Sequence, residues 1–217
     1  IIHNEQSMGM EGASNCALQK VTESYIIVHD DDDAWHPDFL DKTVSYLEKH
    51  NEYAAVITNC VVIHEIIDDD RTIEVSREKW SQWKPFIDAC NLLTHNVAPP
   101  ICTLVRSSVV KIIGDFNENL PVLGDWDFNI RIFKIGDIGT IDQELAYYYQ
   151  RPAEDKTYGN SVRKEINKHL LYQTLYRNAL IRKSLSDEPS SIGFIHVILE
   201  KIERAQKEVL NAIHQSH

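Results

Sequence analysis

The stretch Tyr25 to Pro37, YIIVHDDDDAWHP, runs an apolar segment directly into four consecutive aspartates. Tyr25 to His29 reads as a short strand of the kind buried in a parallel sheet, which puts Asp30 to Asp33 at its carboxyl end. Ligands of open α/β sheets bind in that position. Four neighbouring carboxylates beside low-dielectric walls repel one another by about 1 to 4 kcal/mol per close pair, so a cation must compensate or some must face water. On extended backbone alternate side chains share a side, so Asp30 and Asp32 converge on one ion while Asp31 and Asp33 face elsewhere. Hard divalent cations, Mn²⁺ or Mg²⁺, accept one or two such carboxylates together with the phosphates of a bound nucleotide.

Other readings of the same residues remain open. The run can be a solvated acidic turn, or an aspartyl-phosphatase nucleophile at a strand end, although Ala34 stands where that pattern carries Thr or Val. An EF-hand loop is excluded, because the sixth and twelfth positions from Asp30 hold Trp35 and Asp41 rather than Gly and Glu. Cys16, Cys60, Cys90 and Cys102 have no CxxC spacing and suit buried free thiols rather than a zinc site or a disulfide framework.

The net charge of −11 is uneven: residues 160–217 carry nine Lys/Arg against six Asp/Glu, which leaves −14 on residues 1–159. Nucleic acid is therefore not expected as a partner, whereas cations and hydroxyl-rich ligands are. No window of 18 uninterrupted apolar residues occurs and no signal-peptide pattern opens the sequence, so a soluble, cytoplasmic protein is expected. The sequence begins Ile-Ile-His without an initiator Met, which suggests part of something longer.

Periodicity predicts a helix over 8–20 with Ala13 and Ala17 on one face, and another beginning at Pro37 with a stripe of Leu40, Val44 and Leu47. Strands are expected at Ala54 to Thr58, at Val61 to Ile67 with Thr72 to Val75 as a hairpin, at Ile101 to Val105, at Ile138 to Ile141 and at Leu145 to Gln150. Helices are expected over 77–97, over Ser107 to Ile113 closed by Gly114, and over Asp125 to Ile135. A mobile linker at 151–160 precedes two helices, Val162 to Lys183 and Ile192 to Ile213, that form a hairpin able to cover the core or to join two copies as a homodimer.

The run NEQSMGMEGASNCALQKVTESYIIVHDDDDAWHPDFL resembles the central block of the inverting family-2 glycosyltransferases, in which an N-x-G-x-x-x-A-x-N segment leads through a helix to a strand ending in D-x-D-D. VVKIIGDFNENLPVLGDWDFNIRI is similar to that family's second block, an E-D pair followed by a helix arginine. The resemblance covers about residues 1–150 and implies an α/β fold of GT-A type. That is a Rossmann-like mixed sheet flanked by helices, here followed by the C-terminal helical hairpin, so that 1–150 is a partial GT-A domain and 161–217 an extension.

It implies transfer of a sugar, with inversion, from a nucleotide-diphosphate donor to a glycan or lipid-linked acceptor hydroxyl, aided by Mn²⁺ or Mg²⁺. Asp30 and Asp32 take the metal roles, and Gly9, Asn15, Asp30 and Asp31 contact the donor. Asp125 is the general base, while Asp33, Trp35, Trp126, Asp127 and Arg131 shape the sugar or acceptor side. A helix-bracing role for Arg131 competes with the last of these.

The sequence departs from the pattern at Gly124, where the glutamate of the E-D pair is missing, and at Ser14, where an arginine is common. The family's opening nucleotide-binding strands are not seen before Ile1, so the piece alone is expected to be inactive and a non-catalytic nucleotide- or glycan-binding module is the alternative. Tyr147 to Tyr149 read as a strand with one buried face, with Arg151 free to approach a phosphate. The basic residues Arg163, Lys164, Lys168, Arg177, Arg182 and Lys183 read as a solvated face or as a peripheral contact with an anionic membrane.

Overall fold

The computed structural model describes residues 2–68, 71–152, 166–187, 201–202 and 204–205. The chain divides into two compact units, Ile1–His169 and Leu170–His217.

A single long strand organises the first unit. Strand β3 (Tyr53–Asp68) is buried without interruption from Ala54 to Ile63, so both of its faces are covered, as in a central parallel strand. The sequence suggests two strands here because Asn59 interrupts the apolar pattern. The structure instead keeps one strand and absorbs the polar residue in a register shift. Asn59 Oδ1 accepts the Cys60 N–H at 2.9 Å, which satisfies the donor that the bulge frees from the ladder.

The last strand of the unit, β6 (Asp137–Gln150), likewise joins two expected strands and runs parallel to β3 from Tyr53↔Asp137 to His64↔Gln150. Strands β1 (Tyr25–Ile26), β2 (Ala34–Trp35) and β5 (Thr103–Arg106) complete the mixed sheet in the order β1-β5-β3-β6-β2. Strand β4 (Arg71–Lys79) pairs with the outer half of β3 as an antiparallel hairpin.

The helices of this unit are α1 (Gly9–Leu18), α2 (Phe39–Lys49), α3 (Ala89–Thr94), α4 (Ser107–Ile113) and α5 (Gly124–Phe133). Helix α2 buries Phe39, Thr43 and Leu47, spaced i, i+4, i+8, while Leu40 is 48% exposed. The stripe is thus rotated from the expected one, and Thr43 fits inside because its hydroxyl donates to Phe39 O at 2.7 Å. Leu47 meets Val56 and Leu104 in the core, with Tyr25, Ile27 and Val44 packed around them.

Arg106 fixes the end of α2 by donating to the carbonyls of Leu47 (2.5 Å), His50 (3.2 Å) and Tyr53 (2.9 Å). These include carbonyls that a helix end leaves without intrahelical donors.

The expected helix over 77–97 is not formed. Strand β4 continues to Lys79, Trp80 turns back with Nε1 donating to Val97 O at 3.0 Å, and only α3 is helical, capped by Asp88 accepting from Asn91 N–H. Helix α4 ends as expected at Gly114, whose φ of +79° suits a residue without Cβ.

In the second unit and its approach, α6 is Ile166–Asp187, running four residues past the expected end, while residues 162–165 of the expected helix lie outside the described residues. The expected second helix of the hairpin and residues 153–160 of the linker lie largely or wholly outside the described residues. All four cysteines are free, and burial pushes the Cys102 thiol well up. No helix among the described residues is long and apolar enough to cross a membrane.

Candidate functional site

The acidic segment is a turn, not an extended run. Strand β1 finds ladder partners only for Tyr25 and Ile26, opposite Arg106 and Val105, and the chain leaves the sheet at Ile27. It then folds so that Asp33 N–H donates to Asp30 O at 3.2 Å. Alternation along extended backbone therefore does not sort these side chains: Asp31 is exposed, Asp30 and Asp32 are half-buried, and Asp33 is buried.

Asp30 is pushed above the usual carboxylate range by burial first, then by the charges of Asp32 and Asp31, with His29 offsetting part of this. Asp33 sits deeper, so burial dominates and raises its carboxyl to about 7, although the Tyr149 N–H donates to Oδ1 at 2.9 Å. Its Oδ2 has no hydrogen-bond partner among the described residues. These bonds dock the turn at the carboxyl end of β6 and put Asp33 in the interior rather than on an open sugar pocket.

Arg151, one residue past β6, faces this group. Its Nε donates to Glu65 Oε1 at 2.7 Å, and its Nη1 lies 3.8 Å from Asp32 Oδ2. Glu65, on β3, is only 5% exposed, so this pair is largely out of water, while the Asp32 side chain is 36% exposed and can take a further ligand. Trp35 closes the turn from the other side. Its Nε1 donates to Ile101 O at 3.0 Å, its ring stacks on Phe39 at 4.9 Å, and the His29 ring meets it edge-on at 4.4 Å.

The donor set suits a hard divalent ion only in part. Asp30 and Asp32 are carboxylates close enough to repel, which a cation between them relieves. Among the described residues, however, no group of three or more His, Cys, Asp or Glu forms a metal centre. Mg²⁺ and Mn²⁺ are commonly held by one or two carboxylates with substrate phosphates completing the shell, and these residues fit that arrangement.

Asp125 occupies the first turn of α5, which the chain enters through Leu123 in the left-handed region at φ 71°. A leucine there costs about 1 to 2 kcal/mol. Asp125 is half-buried by surface yet enclosed by protein on most sides of its carboxyl. Its Oδ1 accepts from Trp126 N–H at 2.8 Å and its Oδ2 from Asn96 Nδ2 at 2.5 Å. Burial raises its pKa, those two donors lower it, and the charge of Glu11 raises it further. Asp125 also borders a small cavity of about 30 Å³ that it shares with Ile26, Val28, Pro100, Phe116 and Phe128. The general-base candidate and the segment leading into the acidic turn therefore line the same space.

Several residues expected at the site serve the fold. Asn15 is buried, with Nδ2 donating to Phe116 O (3.0 Å) and Glu118 Oε1 (2.7 Å) and Oδ1 accepting from Phe116 N–H (2.7 Å), so its amide is committed to protein rather than to a donor. Gly9 opens α1 at φ +74° with open space around it. Trp126 is fully buried and donates to Leu92 O, which makes it core rather than acceptor pocket. Asp127 and Arg131 pair at 2.7 Å, and Arg131 also reaches Ile113 O at 2.9 Å and lies over the Phe128 ring. That is the bracing role.

Sequence reasoning passed over Glu11, Asn96 and Glu65. Glu11 stands at an unspecified position of the first block, Asn96 and Glu65 lie in no recognisable motif, and each matters only through a partner distant in sequence.

The sequence model of Glycosyl transferase family 2 matches residues 1–114. An uncharacterized glycosyltransferase of Haemophilus influenzae is 24% identical over 227 residues, covering all of this chain and 68% of that protein. Among solved structures, residues 1–349 of S. aureus TarS align with a TM-score of 0.46 at 18% identity, over 67% of this chain and 42% of that one. The same TarS piece in complex with UDP-GlcNAc aligns at 0.46 and 19%, over 70% and 42%. The chain spans less than half the length of these solved chains.

Proposed function

The chain belongs to glycosyl transferase family 2, and on that premise we propose that it takes part in moving a sugar from a nucleotide-diphosphate donor to an acceptor hydroxyl, with inversion at the anomeric carbon. The observation that carries this reading is the cavity shared by Asp125 and the Ile26–Val28 segment, which leads into the acidic turn. It sets the Asp125 carboxylate beside the segment that runs on into the carboxylate pair.

Asp125 is the base. As the acceptor oxygen bonds to the anomeric carbon, its proton passes to the Asp125 carboxylate, the bond from that carbon to the diphosphate oxygen breaks, and the electron pair leaves with the diphosphate. A carboxylate raised by burial is a stronger base than a solvated one, and the Asn96 amide holds it in one orientation. Asp30 and Asp32 would hold Mn²⁺ or Mg²⁺, which offsets the charge of the departing diphosphate when bound. Arg151 keeps Asp32 from being an isolated charge before the donor arrives. Asp31, exposed at the tip of the turn, is free to meet the donor ribose.

The acceptor is a glycan or a lipid-linked glycan, in the setting of polysaccharide synthesis, with the enzyme working at the cytoplasmic face of a membrane. This part rests on family analogy.

The test is a nucleotide-sugar turnover screen with Mn²⁺ on the longest natural chain, comparing wild type with Asp32→Ala and Asp125→Asn. Asp125→Asn is expected to lower turnover by about 10² to 10⁴-fold, and Asp32→Ala to abolish the stimulation by metal. Metal-stimulated turnover that survives both changes would sink the reading.

A further inference from the structure

Helix α1 presents one face to the start of α5. Asn15 anchors that face by its two-way pairing with the Phe116 backbone. Glu11 lies four residues earlier, one turn along the same face. Across from it Gly124, the first residue of α5, faces the Glu11 side chain, which a side chain at 124 would have to displace. A Cβ added there would stand 2.7 Å from Glu11 Cγ and 2.9 Å from its Cδ, with Oε1 nearer still. The carboxyl end of Glu11 thus fills the volume that a side chain at 124 would occupy, immediately beside Asp125. Position 124 is also where the sequence departs from the acidic pair expected before the base. The missing side chain and the intruding one account for each other.

We propose that Glu11 is a positioning residue for Asp125: delivered from α1, its carboxylate takes in space the place of the carboxylate that position 124 lacks. The inference rests on the reading of Asp125 as the base. The groups facing Asp125 are few enough to attribute an effect. Helix α1 presents Glu11, the segment after α3 presents the neutral Asn96 amide, and His95 beside it has Nδ1 3.0 Å from Thr94 Oγ1. On its own helix Asp127 is paired with Arg131, and Glu118 in the preceding loop is bonded to Asn15. Among the described residues Glu11 is a charged neighbour that shifts Asp125, and it acts upward, after burial and the hydrogen bonds.

Four variants test this: Asp125→Asn, Glu11→Gln, Gly124→Glu, and the double change Glu11→Ala with Gly124→Glu. Two readouts are taken, the pH profile of nucleotide-sugar turnover and the carboxyl ¹³C titration of Asp125, which needs no turnover. Glu11→Gln keeps the shape and removes the charge. It is expected to move both the acid limb and the Asp125 titration to lower pH by about half to one pH unit, with a roughly 3- to 10-fold lower kcat. Gly124→Glu alone is expected to lower the melting temperature by crowding Glu11. Adding Glu11→Ala should relieve that loss and return the titration toward wild type.

A Glu11→Gln protein whose Asp125 titration stays in place overturns the inference, as does a double variant no better than Gly124→Glu alone. If Asp125→Asn still abolishes turnover in that case, the function proposed above stands. Turnover that Asp125→Asn leaves near the wild-type rate overturns both.

Discussion

Replacing Asp33 with asparagine isolates the cost of placing a carboxylate at the carboxyl end of β6. An unfolded aspartate releases its proton near 3.8, whereas in this fold Asp33 holds it to about 7. Between those values the folded chain carries a proton that the unfolded chain has lost, so stability falls as pH rises through the window. Each tenfold difference in proton affinity corresponds to about 1.4 kcal/mol, which gives an upper bound of about 4 kcal/mol lost by pH 8. Asparagine keeps the oxygen that accepts the Tyr149 N–H at 2.9 Å and carries no charge. Its amide group falls where Oδ2 lacks a partner among the described residues, much as the protonated acid does.

Asp33→Asn is therefore expected to match wild type within about 1 kcal/mol at pH 4 and to exceed it by about 2 to 4 kcal/mol above pH 7. The assay is urea denaturation at half-unit steps from pH 4 to 8, with a chelator present so that no metal contributes. Groups common to both proteins cancel in the difference, and Asp30 and Asp32 gain from losing a neighbouring charge. Parallel curves, with no divergence between pH 5 and 8, would refute the argument that Asp33 is held protonated by burial.

Two further substitutions probe the arginines that tie the segments together. Arg151→Met strands Glu65 as an unpaired carboxylate at 5% exposure, so urea denaturation should show a loss of about 3 kcal/mol. Glu65→Gln in the same protein should restore most of it, and a loss below about 0.5 kcal/mol would mean that the pair is solvated. Arg106→Met removes donors to the Leu47, His50 and Tyr53 carbonyls. The expected loss is about 2 to 4 kcal/mol, accompanied by faster amide exchange in the last turn of α2.

The sequence indicates the kinds of element well where a local signal is complete. Helix α4 runs from Ser107 to Ile113 as expected because Gly114 supplies the left-handed stop, and α5 follows from its nearly all-round apolar pattern. It is less informative where local and long-range demands conflict. Asn59 looks like the end of a strand, yet a bulge and a bond to the next residue let β3 pass through it. Residues 77–97 have helical composition, but β4 gains ladder bonds along β3 up to Lys79, and tertiary pairing overrides propensity. At the site, the aspartates could be singled out from their charge and position. Their sorting could not, because a turn rather than alternation decides it, and a turn depends on where β1 runs out of partners. Asn15 and Trp126 show a related confusion: a residue within a recognisable motif can owe its place to holding the motif's backbone rather than to touching a ligand.

That confusion has a physical basis in how the unit distributes its strain. The costly features sit at two places, the turn 30–33 with its crowded carboxylates and the entry to α5 with Leu123 at positive φ and Asp125 desolvated. Neither place is stable by itself. Each is held by an anchor on a rigid element: Asp33 and Arg151 tie the turn to β6 and β3, while Asn15 and Asn96 brace the two sides of the α5 entry. The ten-residue buried run of β3 contributes the hydrophobic free energy that offsets these local costs. Removing an anchor should therefore damage the site before it unfolds the unit, and removing a strained charge should stabilise the unit while damaging the site. Asp33→Asn removes such a strained charge and changes stability with pH, whereas Glu11→Gln leaves every anchor in place and changes only the protonation of a neighbour at little cost to the fold.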